Sequence, residues 1–358
     1  MKKQLLFIVL SFICQTIFAQ TNKEKAQKLT LEAIDLMESG SVDRSINVLK
    51  ECVKLDPESF IYTYEMAYAY TLKKEYKKAI KCLNKSKKCK DANSQVYQML
   101  GNSYSYLGKP YKALEKYQEG LTVFPNAGNL YLESGNIYYQ SNIIDEAKRL
   151  YKIGIEKDPM YPSNYYRLAK LSLTSEYKLD GLIYGELFMN IERGSGRTGE
   201  MSKLLYDTYK SSISHKGDTS VYSFNKTLEL NSNNISDGEI KLPLQFTYFN
   251  NLALAAAQLG QQEVDLEYMC ELRKLLLENY MKNSINEYPL ILMSYQNKVA
   301  EAGHLEAYNY YILQQGKKEE MDSWFDANEE KYNQFVEWYI MKENVLNISA
   351  EEIFLGTD

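Results

Sequence analysis

Residues 94–127 read SQVYQMLGNSYSYLGKPYKALEKYQEGLTVFPNA, and these 34 residues decide the architecture. Tyr97, Leu100, Gly101 and Tyr104 recur at the three- and four-residue spacing that gathers side chains on one helical face. Gly108-Lys109-Pro110 interrupts that pattern and starts a second helix, because glycine ends helices readily and proline fits their first turn. Ala113, Tyr117 and Gly120 make the facing stripe of the second helix, and Pro125 stops it. The small residues Gly101, Ala113 and Gly120 let two helices approach closely. Tyr97, Tyr104 and Tyr117 fill the spaces beside them.

The same unit recurs on either side. Small residues fall at Ala33, Ala67, Gly101, Gly135 and Ala169, each 34 positions after the last. A second column runs Ser45, Ala79, Ala113, Ala147 and Gly181, and a third runs Pro57, Asp91, Pro125 and Pro159. Three columns in register specify a stack of helix–turn–helix units. Tyr131, Gly135, Tyr138, Ala147, Tyr151, Gly154 and Pro159 repeat the pattern after residue 127. The arrangement resembles the tetratricopeptide repeat (TPR) family. Weaker copies at 26–59 and 60–93 keep Ala33, Leu36, Leu49, Pro57, Ala67, Tyr70, Ala79 and Leu83. A copy beginning at residue 162 starts with Tyr165, Leu168 and Ala169, then departs at Ser172, Gly181 and Gly185. The reading is an all-α chain. A TPR-like α-α solenoid of four to five repeats at 24–190 is followed by a divergent C-terminal helical region at 200–358.

The first twenty residues read as a leader. Lys2 and Lys3 precede an apolar run from Leu5 to Ile13, and Ala19 supplies the small residue before a cut. Ile13 before Cys14 argues against a lipoprotein signal. The ending Phe18-Ala19-Gln20 resembles leaders common in Bacteroidota. No later run holds the ~18 apolar residues of a membrane span. The expectation is an exported protein of the periplasm or cell envelope. With the leader's two lysines gone, the net charge of −5 becomes −7, which argues against nucleic-acid partners. Export permits disulfides, and Cys52, Cys82, Cys89 and Cys270 allow three full pairings. Cys82 and Cys89 lie roughly 10 Å apart along a helix, too far to bridge each other unless the helix ends early.

Beyond residue 190, Arg193 to Gly199 reads as a loop by composition. A helix follows at about 200–214, a weaker one begins near Ser220, and Leu230–Gly238 reads as another loop. Short strands are expected at Thr227–Leu230 and Glu239–Leu242. Helices resume at about 243–259, 263–281 and 286–302, then Leu305–Gln314, Lys318–Ala327 and 331–343. The run His304-Leu305-Glu306-Ala307-Tyr308, with Trp324 and Trp338, resembles a segment of secreted TPR proteins from the same bacterial group.

Enzyme signatures are sparse. The two histidines, His215 and His304, form no His-x-x-x-His pair. Neither a Gly-x-Ser-x-Gly elbow nor a Cys-x-x-Cys pair occurs. Gly194-Ser195-Gly196-Arg197-Thr198-Gly199 matches a dinucleotide pattern in letters but lacks the flanking βαβ unit that would give it meaning. No cofactor or metal is expected.

The resemblance implies a partner-binding groove lined by the first helix of each repeat. The column one residue past the small residues reads Ile34, Tyr68, Asn102, Asn136 and Lys170. Asparagine offers both a donor and an acceptor to an extended backbone. Tyr64, Gln98, Tyr106, Tyr139 and Tyr166 fall beside it. Arg167 and Lys170 are the cations available to an acidic group. The expected partner is a protein or extended peptide. Nine lysines between Lys73 and Lys90, against the single acid Glu75, allow contact with an anionic envelope surface. Two other classes stay open. One is an enzyme with its site in 200–358 and His304 as its least bland residue. The other is a structural subunit of an envelope complex.

Overall fold

The computed structural model describes residues 21–217, 219–225, 235–236, 239–240 and 242–357. The expected leader and the expected strand Thr227–Leu230 lie outside these residues. The architecture is all-α with two short β-hairpins among the described residues. None of the described helices is long and apolar enough to cross a membrane. Contacts divide the chain into two compact units, residues 1–150 and 151–358.

The first unit is a series of helical pairs. Its helices are α1 (21–38), α2 (Val42–Leu55), α3 (Ile61–Leu72), α4 (Tyr76–Ser86), α5 (Ser94–Tyr106), α6 (Pro110–Val123) and α7 (Gly128–Gln140). Helix α8 (Ile144–Lys157) straddles the division. Pro110 occupies the first turn of α6, as its missing N–H allows. Gly101 and Gly120 are small by necessity. A Cβ on Gly101 would lie 2.1 Å from the ring of Tyr117, and one on Gly120 would lie 2.7 Å from both Leu130 and Tyr97. Asp91 replaces the column's proline and works differently. It accepts hydrogen bonds from the Ser59 hydroxyl at 2.7 Å and the Phe60 N–H at 3.0 Å, tying down the start of α3. A further column emerges at the turns within each pair. Gly40, Lys74, Gly108 and Asn142 all have positive φ, between 58° and 80°, so one left-handed residue reverses the chain in each copy.

Ser45 is the misfit of the alanine column. It is fully buried, and its Oγ finds no hydrogen-bond partner. An unsatisfied buried hydroxyl costs about 1–3 kcal/mol. Ser45→Ala should therefore raise stability by about 1 kcal/mol, read as a higher urea midpoint at unchanged slope. A lower midpoint would contradict this assignment.

The second unit contains α9 (Pro162–Leu173), α10 (Lys178–Ile191), α11 (Gly196–Ser212), α12 (Leu244–Leu259), α13 (Leu266–Asn283), α14 (Ile291–Glu301), α15 (Leu305–Leu313) and α16 (Lys318–Ile340). Helix α10 is its axis. Every residue from Leu179 to Asn190 is buried, the polar Asp180, Glu186 and Asn190 among them. It packs on α9, α11 and α14. Gly181 lets α9 close on it, since a Cβ there would lie 2.6 Å from Leu173. The segment after α16 also lies along α10. Phe354 meets the Tyr184 ring at 4.9 Å, and Thr357 donates its backbone N–H to Asp180 at 3.1 Å.

Glu186 sits in the middle of α10 and is 3% exposed. Arg273 of α13 donates to both of its carboxylate oxygens, at 2.7 and 2.8 Å. Gln296 and Tyr308 donate to the same carboxylate. Burial, then the charge of Glu186, pushes the Tyr308 phenol well above its ordinary value, so it remains a donor. Asn190 links Tyr308 at 2.8 Å to Tyr339 at 3.0 Å. One polar network thus joins α10, α13, α14, α15 and α16.

Two local expectations change. The helix expected near Ser220 is strand β2 (Thr219–Tyr222), paired antiparallel with β1 (Ile213–Lys216). Gly217 at φ 56° opens the turn between them, and the sequence pair Gly217-Asp218 was the available signal. The Gly-rich stretch after Arg193 is mostly helix start. Ser195 caps α11 in a reciprocal capping box with Thr198, and Arg197 bonds Glu192. A second hairpin pairs β3 (Ile235–Ser236) with β4 (Glu239–Ile240). In α16, Asn328 departs from helical geometry at φ −132°, marking the break expected after Ala327.

Candidate functional site

In the first unit α3, α5 and α7 face inward. Helix α5 packs against both α3 and α7, whereas α4 and α6 make no comparable contact. Crowding on one side and spreading on the other makes α3, α5 and α7 the inner surface. Tyr64, Tyr68, Gln98, Asn102 and Tyr106 line one cleft of about 240 Å³ between α3 and α5. Tyr68 and Tyr106 are 43% and 59% exposed, so their rings are free to meet a ligand. Tyr106 is braced by the ring of Tyr76, with centroids 5.2 Å apart.

The asparagines have structural duties as well. Asn102 Oδ1 accepts a hydrogen bond from the hydroxyl of buried Tyr117. That leaves its amide hydrogens for a ligand carbonyl. Asn136 donates to Glu133 Oε2 at 3.0 Å. Gln98 donates to Glu133 Oε1 at 2.9 Å and accepts from Asn129 at 2.9 Å. Glu133 therefore ties α5 to α7, and the sequence reading had passed over it. Its column, Glu65, Met99 and Glu133, was legible at the 34-residue spacing. Tyr139 stands 44% exposed on α7. Burial raises the Glu65 carboxyl above its ordinary value.

Tyr166, Arg167 and Lys170 lie on α9 in the second unit, where α11 engages them. Lys170 pairs with Glu200 at 2.6 Å, and the Tyr166 hydroxyl donates to the same carboxylate. These two hydrogen bonds, followed by the charges of Lys170 and Arg167, hold the Glu200 carboxyl below its ordinary value. Arg197 lies over the Tyr166 ring at 5.1 Å. An acidic ligand at Lys170 would have to displace Glu200.

The other singled-out residues have packing partners. His304 starts α15 against Phe335 and Trp338, and burial lowers its pKa. His215 pairs with Ser220 across the hairpin at 2.8 Å. Cys52, Cys82, Cys89 and Cys270 are free thiols. Three lysines of the basic run are in ion pairs: Lys73 with Asp43, Lys78 with Glu75, and Lys87 with Glu119. Lys74, Lys77, Lys81, Lys85, Lys88 and Lys90 are exposed.

A cavity of about 550 Å³ between α13, α15 and α16 is acidic and carries Trp324 stacked on Tyr310 at 4.0 Å. Its principal carboxylates have structural partners. Asp265 caps α13, Glu320 accepts from Leu266 N and Lys317, and Glu306 accepts from Trp324 and Lys331. Among the described residues, no three His, Cys, Asp or Glu side chains form a group that could hold a metal.

Residues 30–94 match the tetratricopeptide repeat family model. No curated protein matches the chain at a significant level. Several solved structures are similar. Pseudomonas aeruginosa pilF is 16% identical, with 53% of this chain and 86% of that one covered and a TM-score of 0.43. YrrB, described as a TPR protein with an unusual peptide-binding site, is 21% identical, with 49% and 91% covered and a TM-score of 0.33. PilW, described as a type IV pilus biogenesis factor, is 16% identical, with 52% and 85% covered and a TM-score of 0.41. At these identities and scores the likeness says nothing of function.

Proposed function

We propose that this protein is a non-catalytic scaffold that holds an extended segment of a partner protein on the inner face of its first unit. The observation that carries this reading is the cleft between α3 and α5. It combines the exposed rings of Tyr68 and Tyr106 with the amides of Gln98 and Asn102. Tyrosine gives contact area at low entropy cost, and amides satisfy a peptide backbone without demanding a charge. The charged pattern Lys2-Lys3, the apolar run and Ala19 support export to the periplasm or envelope. We also take residues 24–190 as the repeat array and 200–358 as its divergent companion.

The exposed tyrosines make the cleaner test. Asn102→Ala would orphan the Tyr117 hydroxyl and confound binding with stability. A displayed library of random dodecapeptides panned on the full chain should yield binders. Tyr68→Ser with Tyr106→Ser should weaken those binders at least tenfold at an unchanged melting temperature, since interface aromatics commonly contribute about 2 kcal/mol or more. Binders that hold the double variant as well as the parent would remove the cleft from the proposal.

The exposed lysines between Lys74 and Lys90 favour a second contact, with an anionic envelope surface. Such binding would be lost as salt rises, because exposed charges are screened within about 10 Å at 0.1 M.

A further inference from the structure

The inner helices α3, α5 and α7 differ sharply in charge from the outer helices α2, α4 and α6. Helices α3, α5 and α7 contain no lysine, arginine or histidine across their whole length. At the chain's average of 42 basic residues in 358, about four would be expected in a stretch of that size. The outer helices hold them instead: Arg44, Lys50 and Lys54 on α2, four lysines on α4, and Lys112 and Lys116 on α6. The charges that the inner helices do carry are Glu65 and Glu133.

These two glutamates belong to one repeat column, with Met99 between them. Glu133 receives hydrogen bonds from the neutral amides of Gln98 and Asn136. Such donors orient a carboxylate and leave its charge uncancelled. Tyr64, Tyr68 and Tyr106 beside the column offer ring faces that attract cations. Met99 presents a soft apolar surface suited to the methylene stem of a long basic side chain. An acidic segment would meet two like charges and no cation on these helices.

We infer that the partner segment is cationic, an extended peptide with two lysines or arginines that reach Glu65 and Glu133. This rests on the peptide-binding reading above. Neighbouring packed helices stand about 8–10 Å apart, so the two carboxylates, two inner helices apart, are separated by roughly 16–20 Å. Five or six extended residues at about 3.3 Å each cover that span. A separation of six also returns both side chains to the same side of an extended strand. The partner's basic residues therefore stand at positions i and i+6.

The test uses the full chain and three fluorescein-labelled peptides, GYKGLSGYKG, GYQGLSGYQG and GYEGLSGYEG, followed by fluorescence polarisation. The lysine peptide should bind at least tenfold more tightly than the glutamine peptide, and the glutamate peptide most weakly. Glu65→Gln with Glu133→Gln should erase the preference for the lysine peptide over the glutamine peptide. Equal binding of lysine and glutamate peptides, or a lysine preference that survives the double substitution, overturns the cationic assignment. If binding persists in that case and remains sensitive to Tyr68→Ser with Tyr106→Ser, the groove reading stands alone. Absence of binding by all three peptides, or binding indifferent to the tyrosine substitutions, overturns the groove reading as well.

Discussion

Arg273→Met should destabilise the second unit by about 3–5 kcal/mol, because it strands a charged carboxylate in the interior. Arg273 and Glu186 are 5% and 3% exposed. The guanidinium meets both carboxylate oxygens, and it also donates to Asn309 Oδ1 at 3.0 Å and Tyr209 at 3.3 Å. Methionine fills much of the volume and supplies none of the charge. Gln296 and Tyr308 would remain as neutral donors, which cannot offset the lost cation at that depth. Trp324 and Trp338 are the chain's two tryptophans and both lie in the second unit, so tryptophan fluorescence during urea unfolding reads that unit. The midpoint should fall sharply. Glu186→Gln combined with Arg273→Met should recover much of the loss, because a neutral pair avoids the buried charge. A single variant as stable as the parent would mean that water reaches Glu186 and that the network is not a closed one.

Gly101→Ala should destabilise the first unit by about 1–3 kcal/mol through overpacking. The sign is the informative part. At an unconstrained position inside a helix, alanine is better than glycine by about 1 kcal/mol. Here the new methyl would sit 2.1 Å from Tyr117 Cε1 and 2.6 Å from two other ring atoms. The ring cannot easily swing away, since Tyr117 is 1% exposed and its hydroxyl is held by Asn102. Far-ultraviolet circular dichroism should show the loss. Tyr117→Leu in the same chain should remove most of the added penalty, giving a large coupling between the two positions. Independent, additive effects would place the clash elsewhere. A stabilising Gly101→Ala would show that α5 and α6 can separate without penalty.

The repeat architecture was legible because each column reports one local packing demand. Gly101 and Gly120 are where rings cross a helix, and Pro110 and Pro125 are where a helix starts or ends. The turn column was half hidden. Gly40 and Gly108 look like turn residues, but Lys74 and Asn142 hold the same left-handed conformation under different letters. Asp91 likewise replaces a proline's rigidity with two hydrogen bonds to the next helix. The β1–β2 hairpin lies where a helix was expected near Ser220, because four-residue strands carry little periodicity.

The candidate groove divides along similar lines. The resemblance implied a groove face holding Tyr64, Tyr68, Gln98, Asn102 and Tyr106, and these five residues line one cleft. Glu133 was readable from its column with Glu65 and Met99. Its bonds to Gln98 and Asn136 depend on how closely α5 meets α7. Tyr166 and Lys170 obey the same spacing, yet Glu200 of α11 holds them.

By itself the sequence determined the helical class and the length of the repeat. These follow from periods of 3.6 and 34 residues, which depend only on neighbours along the chain or one repeat away. Tertiary structure alone decided which tyrosines stay exposed, that α11 engages Lys170, and that Glu186 meets Arg273 eighty-seven residues later. Those outcomes depend on contacts between distant segments. No local period encodes where such segments meet, and a buried charge reveals its partner only once the chain has closed around it.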